Sequence, residues 1–144
     1  MSYAIDANIL LYAVNCDSPH HSASRTFVET CAASAERWLL PWPTVHAFLR
    51  IATHPAILPH PLSPAEAISE IEALIKLPQV ELVAEDDHFW SQYRNEISDL
   101  HLRGNLLSDG LLVAMLKTHG ITHFFSHDRD FLRFKGMKVV DPLA

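Results

Sequence analysis

Cysteine, glycine and positive charge are all scarce in this chain of 144 residues. Its two cysteines, Cys16 and Cys31, have neither metal-ligand nor redox spacing. Both fall in segments that read as helical, so two thiols in a reducing cytoplasm are expected rather than a disulfide framework. Four glycines and no repeat exclude a low-complexity or fibrous chain. Eleven Lys and Arg against seventeen Asp and Glu leave a net charge of −6. That balance argues against a protein that holds nucleic acid by bulk electrostatics. It does not exclude one whose bound metal ions meet the phosphate. No apolar run approaches the length of a membrane span, the longest being Leu111 to Leu116. No basic segment precedes an apolar stretch at the N-terminus, so a signal peptide is not expected.

What remains is a globular composition, 49% hydrophobic and 19% charged, with length enough to bury one core. Short apolar runs at Tyr3 to Ile5, Trp38 to Leu40, Val80 to Val83, His123 to Phe125 and Met137 to Val140 read as strands. Between them lie helical patterns. Ala7 to Val14 is one; a second starts at Ser18-Pro19 and runs to about Glu36; a third is Thr44 to Ala52, after a stop at Pro41 and Pro43. Ser63-Pro64-Ala65-Glu66 is a capping box that starts a fourth. Asp87 to about Leu102 is amphipathic and ends before Gly104; Leu111 to Leu116 is apolar on every side and ends at Gly120; Phe131 to Phe134 is a short helix. Strands alternating with helices imply a parallel sheet in a three-layer α/β/α domain spanning residues 1–144.

Three aspartates stand where helices are expected to begin: Asp6, Asp109 in Ser108-Asp109-Gly110, and Asp128 in Ser126-His127-Asp128. Two of them follow strands. In a parallel sheet, groups beyond the carboxyl ends of the strands meet in one crevice. Singly, each acid reads as a helix cap. Were all three only caps, Asn, Ser or Thr would serve as well; three acids at consistent topological positions point to a shared cation. An oxygen-only site suits Mg2+ or Mn2+. Asp130 is a fourth carboxylate nearby, able instead to pair with Arg129 or Arg133. These arginines, with Lys135 and Lys138, form a basic cluster that Arg50 and Arg103 can join in space, or simply a solvated surface. The ten histidines show no zinc-ligand spacing.

These segments resemble the PIN-domain ribonucleases, specifically the VapC-type toxins of bacterial toxin–antitoxin pairs. The resemblance is carried by Ile5-Asp6-Ala7-Asn8-Ile9-Leu10-Leu11-Tyr12, by Phe48-Leu49-Arg50-Ile51-Ala52-Thr53-His54-Pro55, by Gly104-Asn105-Leu106-Leu107-Ser108-Asp109-Gly110-Leu111-Leu112 and by Ser126-His127-Asp128-Arg129-Asp130-Phe131. The spacer His20-His21-Ser22-Ala23 and the closing Asp141-Pro142-Leu143 add to it. It implies a mainly parallel five-stranded sheet and metal-dependent endonucleolytic cleavage of RNA. Asp6, Asp109 and Asp128 would bind Mg2+ or Mn2+ and carry catalysis, with Asn8, Ser126 and Asp130 supporting. A neutralising VapB-type antitoxin, a homodimer and a cytoplasmic location are further implications. Phe27, Trp42 and Phe48 are candidates for an apolar antitoxin groove, or for the core.

One departure stands out. Many relatives place a glutamate directly before the Phe-Leu-Arg triplet, where this chain has Ala47, preceded by His46. The substitution leaves open one bound metal or two, and admits a PIN-fold binding module with weakened catalysis. A magnesium-dependent phosphohydrolase of the haloacid-dehalogenase type also begins with an aspartate after a strand. It needs a second aspartate two residues on, where this chain has Asn8.

Overall fold

A computed structural model describes residues 2–144. Five short strands, β1 (Tyr3–Ile5), β2 (Trp38–Pro41), β3 (Val80–Val83), β4 (His123–Phe125) and β5 (Lys138–Val140), form one sheet in the order β3-β2-β1-β4-β5. Every neighbouring pair is parallel. The chain therefore builds outward from β1 to β3, then returns to lay β4 on the other side of β1. The switch point lies between β1 and β4, where a doubly wound sheet opens a crevice at its carboxyl end.

Alternation along the strands sorts the core into two layers. Tyr3, Ile5, Trp38 and Leu40 face one side, packed by α1 (Ala7–Val14), α2 (His21–Ala33), α3 (Trp42–Ala52) and α4 (Pro64–Ile75). Ala4, Leu39 and Phe124 face the other, under α6 (Leu106–Thr118), with Ile97 and Leu100 of α5 (Phe89–Leu100) joining that layer. Both faces are covered, so the strands read as continuous apolar runs, as parallel sheets require. The two edge strands are the exceptions, with Glu81 of β3 and Lys138 of β5 turned to solvent.

Several element boundaries differ from the sequence reading for identifiable reasons. The helix expected at Ser18-Pro19 begins at His21. The Ser18 hydroxyl accepts from the amide of His20 at 3.0 Å, closing a local turn instead of capping a helix. That helix ends at Ala33, and Cys16 lies exposed in the preceding turn rather than in a helix. Pro43 does not halt the chain. It sits in the first turn of α3, where a missing amide costs nothing. The fifth helix stops at Leu100 because His101 adopts a left-handed conformation. The Phe131 to Phe134 helix is instead a 3-10 turn at Arg129–Arg133. The capping box at Ser63 and Glu66 is present in both directions. Gly120, at φ 75°, closes α6 as expected: its amide bonds Lys117 O, and that of Ile121 bonds Leu116 O.

Candidate active site

Asp6 follows β1 and is buried, 7% exposed. Its amide donates to Phe125 O at 2.9 Å, which draws the end of β4 alongside. One residue further, Ser126 is also buried, and its hydroxyl donates to Asp6 Oδ2 at 2.6 Å. Ser126 Oγ in turn accepts from the amide of Asp128 at 3.0 Å. Ser126 thus joins the acid after β1 to the acid after β4. Asp128 Oδ1 in turn accepts from the amide of Asp130 at 2.9 Å, capping the 3-10 turn.

Asp109 comes from the opposite wall. Helix α6 starts at Leu106, so Asp109 lies within its first turn and not at the expected start. Asp6, at the N-cap position of α1, has the amides of Asn8 and Ala7 facing its carboxylate without a capping bond of full geometry. Capping therefore accounts for Asp128, only in part for Asp6, and not for Asp109. Asp6, Asp109 and Asp128 line one cleft of about 180 Å3, together with Asn8, Thr44, Ala47 and Ser108. Carboxylate oxygens of Asp109, Asp128 and Asp130 lie within 4.8 Å of one another. Asp130, a secondary candidate in the sequence, is thus brought into the cluster, while Asp6 sits deeper with one oxygen engaged by Ser126. His46 is exposed, and Ala47 places a methyl group where a carboxylate would complete the α3 wall.

The electrostatics reflect the crowding. Burial raises the Asp6 carboxyl above its ordinary range; the Ser126 hydroxyl and the amides of Asn8 and Ala7 offset part of this, and Asp128 adds to it. Asp109 is pushed up to about 6, first by burial and then by repulsion from Asp128, Asp6 and Asp130, with Arg133 opposing. Arg133 donates from Nε to the Asp130 carbonyl at 2.9 Å and from Nη2 to its Oδ1 at 3.2 Å. Lys138, by contrast, pairs with His123 at the amino end of the strands, away from the crevice. Like charges held this close favour protonation or a bound cation. Hard oxygen donors alone, with no sulfur or imidazole in the cluster, fit Mg2+ or Mn2+. No helix among the described residues is long and apolar enough to cross a membrane.

Comparison with known proteins gives the lineage. Ribonuclease VapC48 of Mycobacterium tuberculosis is 39% identical over 144 residues, covering 100% of this chain and 99% of that protein. Ribonuclease VapC37 of the same species is 31% identical, covering 97% and 96%. Among solved structures, VapBC2 from Rickettsia felis, bound to a promoter DNA fragment, superposes with a TM-score of 0.67 at 16% identity, covering 98% of each chain. The sarcin-ricin-loop-cleaving toxin VapC20 of M. tuberculosis gives 0.65 at 14% identity, covering 94% and 98%. At those identities the structures speak for the fold. The sequence model of the PIN domain matches residues 3–137. With that match and the full-length relatives, this chain belongs to the PIN-domain family.

Proposed function

We propose that this protein is a divalent-metal-dependent endoribonuclease and the toxin of a toxin–antitoxin pair. The observation that carries the reading is the meeting of Asp109, Asp128 and Asp130 oxygens within 4.8 Å at the switch-point crevice, with Asp6 behind them. The full-length VapC relatives support the substrate class and the reaction.

A bound Mg2+ or Mn2+ supplies charge neutralisation at the phosphate and a more acidic water. Asp109 and Asp128 would hold it from opposite walls, with Asp6 and Asp130 completing the donor set. Ser126 fixes the Asp6 carboxylate by a hydrogen bond, so that only its other oxygen is free to face the cleft. One of the cleft carboxylates would accept a proton from the attacking water. Arg133 then offers its guanidinium to the phosphate from beside Asp130.

The neutralising partner has a fitting surface. An apolar groove of about 230 Å3 runs between α1, α2, α3 and α4, lined by Leu10, Val14, Val28 and Leu74, with Arg25, Glu29 and Glu70 around it. Phe48 lines this groove as well. Phe27 packs edge-on against Phe125 at 4.9 Å, and Trp42 is half-exposed. An antitoxin segment with one apolar face suits it. A second reading, a PIN-fold binding module with weakened catalysis, draws on the methyl group of Ala47 in the cleft.

Incubation of the purified protein with total cellular RNA and Mn2+ decides between them. Discrete cuts that disappear with EDTA and with a folded Asp6→Asn variant are expected. Metal binding without cuts selects the binding module; cuts that persist in EDTA reject the assigned site.

A further inference from the structure

Beside the acidic cleft stand three rings from three separate segments: Tyr12 of α1, His20 of the turn before α2, and His127, which lies between Ser126 and Asp128. Ring centroids are 4.9 Å apart for Tyr12 and His20, 4.7 Å for His20 and His127, and 6.1 Å for Tyr12 and His127. At these separations the rings already touch, so a further aromatic group can lie only against their solvent side. All three are half-buried, and the His127 side chain is 36% exposed.

The cluster is held in place from several directions. His127 Nδ1 lies 2.8 Å from Asp141 Oδ2, and Asp141 Oδ1 accepts from the amide of Leu143 at 2.9 Å. A bond to a carboxylate places a proton on Nδ1 and leaves Nε2 for a ligand. The amide of His20 is held by Ser18, and His21 Nδ1 lies 3.0 Å from the Tyr12 carbonyl, tying the loop to α1. Packing alone would be served by any apolar ring. Here two of the three are imidazoles at the surface, one of them oriented by a carboxylate. Their position is the second observation. Ser126 and Asp128, which flank His127, are the residues that bond Asp6 and line the cleft. Burial first, then the Asp6, Asp128 and Asp141 charges, push the Tyr12 hydroxyl above its ordinary range.

We propose that Tyr12, His20 and His127 form a step on which a nucleobase of single-stranded RNA stacks next to the phosphate being cut, with Asp141 fixing the His127 ring. The proposal rests on the ribonuclease reading of the adjoining cleft. Proteins grip single-stranded RNA by stacking its bases on aromatic side chains while local positive charge meets the backbone. With a net charge of −6, that positive charge is local here, as at Arg133 beside Asp130.

The test is binding of fluorescent single-stranded RNA oligonucleotides, followed by anisotropy in EDTA and again in Ca2+. His20→Ala and His127→Ala should each weaken binding roughly tenfold, the scale of one lost base stack. His127→Phe should retain most of the affinity. In oligonucleotides carrying one abasic site, scanned along the strand, one position should abolish the difference between wild type and His20→Ala. A purely structural role for the ring would not depend on a single base. Folded variants that bind as wild type does, a loss indifferent to every abasic position, or no RNA binding by wild type in either condition would each overturn the proposal. The two readings fail separately. Base-dependent binding without Mn2+-dependent cutting sinks the catalytic reading and keeps the step. Cutting with unchanged binding by His20→Ala does the reverse.

Discussion

Asp109→Asn should stabilise the metal-free protein, although it removes a residue the proposed reaction needs. In the folded state Asp109 keeps its proton up to about 6, against an ordinary 3.8. Between those values the folded protein binds more protons than the unfolded chain, so stability falls as pH rises, and the cost is complete above about 6. A shift of two units corresponds to roughly 3 kcal/mol. Asp109 is only half-buried, and solvent screening reduces this to about 1–2 kcal/mol. For a chain of this length that raises Tm by about 3–6 °C. Thermal unfolding in EDTA at pH 7.5 should therefore find Asp109→Asn the more stable protein. The gain should shrink to about half at pH 5 and vanish below the ordinary value of the carboxyl. Excess Mn2+ should reverse the order, because a site filled to 100 times its Kd stabilises wild type by about 2.7 kcal/mol and the variant by less. A metal-free variant at or below wild-type Tm at pH 7.5 would refute the crowded-acid account and return Asp109 to a helix-dipole role.

Three other substitutions probe different parts of the molecule. Ser126→Ala removes the donor to buried Asp6 and the acceptor for the Asp128 amide. It should weaken Mn2+ binding about tenfold in calorimetry while Ser126→Thr retains it, and an isotherm equal to wild type would show that the bridge does not orient the ligands. Ala47→Glu adds a carboxylate to the cleft wall. It should lower Tm without metal, tighten Mn2+ binding and preserve or raise cleavage; a folded variant that no longer binds Mn2+ would show that the glutamate analogy is misplaced. Lys117→Met leaves Glu96, 6% exposed, without the ammonium that bridges it to the Lys135 carbonyl. Urea unfolding should show a loss of about 3 kcal/mol, largely recovered in Lys117→Met with Glu96→Leu. A loss below about 1 kcal/mol would place the pair among exposed ones.

Local rules sufficed where one short segment contained its own explanation. The capping box at Ser63, the left-handed Gly120 and the apolar runs of the central strands are of that kind. They failed where a distant partner decides. Helix α2 ends at Ala33 because the Gln79 side chain, 45 residues beyond Ser34, donates to the carbonyls of Cys31, Ala32 and Ser34. Helix α6 begins at Leu106 with no side-chain cap; Leu106 and Leu107 pack on the second core layer, and the Leu107 carbonyl accepts from Tyr93 of α5. Neither partner is visible from the segment itself. The same holds for the site. The three aspartates were legible because topology alone sends them to one crevice. That Asp130 joins them, and that His127 meets Tyr12 and His20, follows from a 3-10 turn and the Asp141 side chain, which no periodicity encodes.

The absence of an acid on α3 reorganises how charge is shared across the crevice. With a methyl group at Ala47, the wall above α3 offers no carboxylate, and the acids gather on the α6 and β4 side. Three carboxylate oxygens within 4.8 Å can surround one cation, with water or phosphate oxygen filling its remaining positions. A second cation would need ligands from the α3 wall, where only Thr44 carries a polar side chain toward the cleft lining, and its hydroxyl is sealed from solvent. If the cluster holds metal, its donors would suit a single ion, with Arg133 as a positive charge beside the acids. A guanidinium paired to Asp130 would compete with an ion for the same carboxylate, so Arg133 and the acids share the task of meeting a phosphate on that side of the cleft.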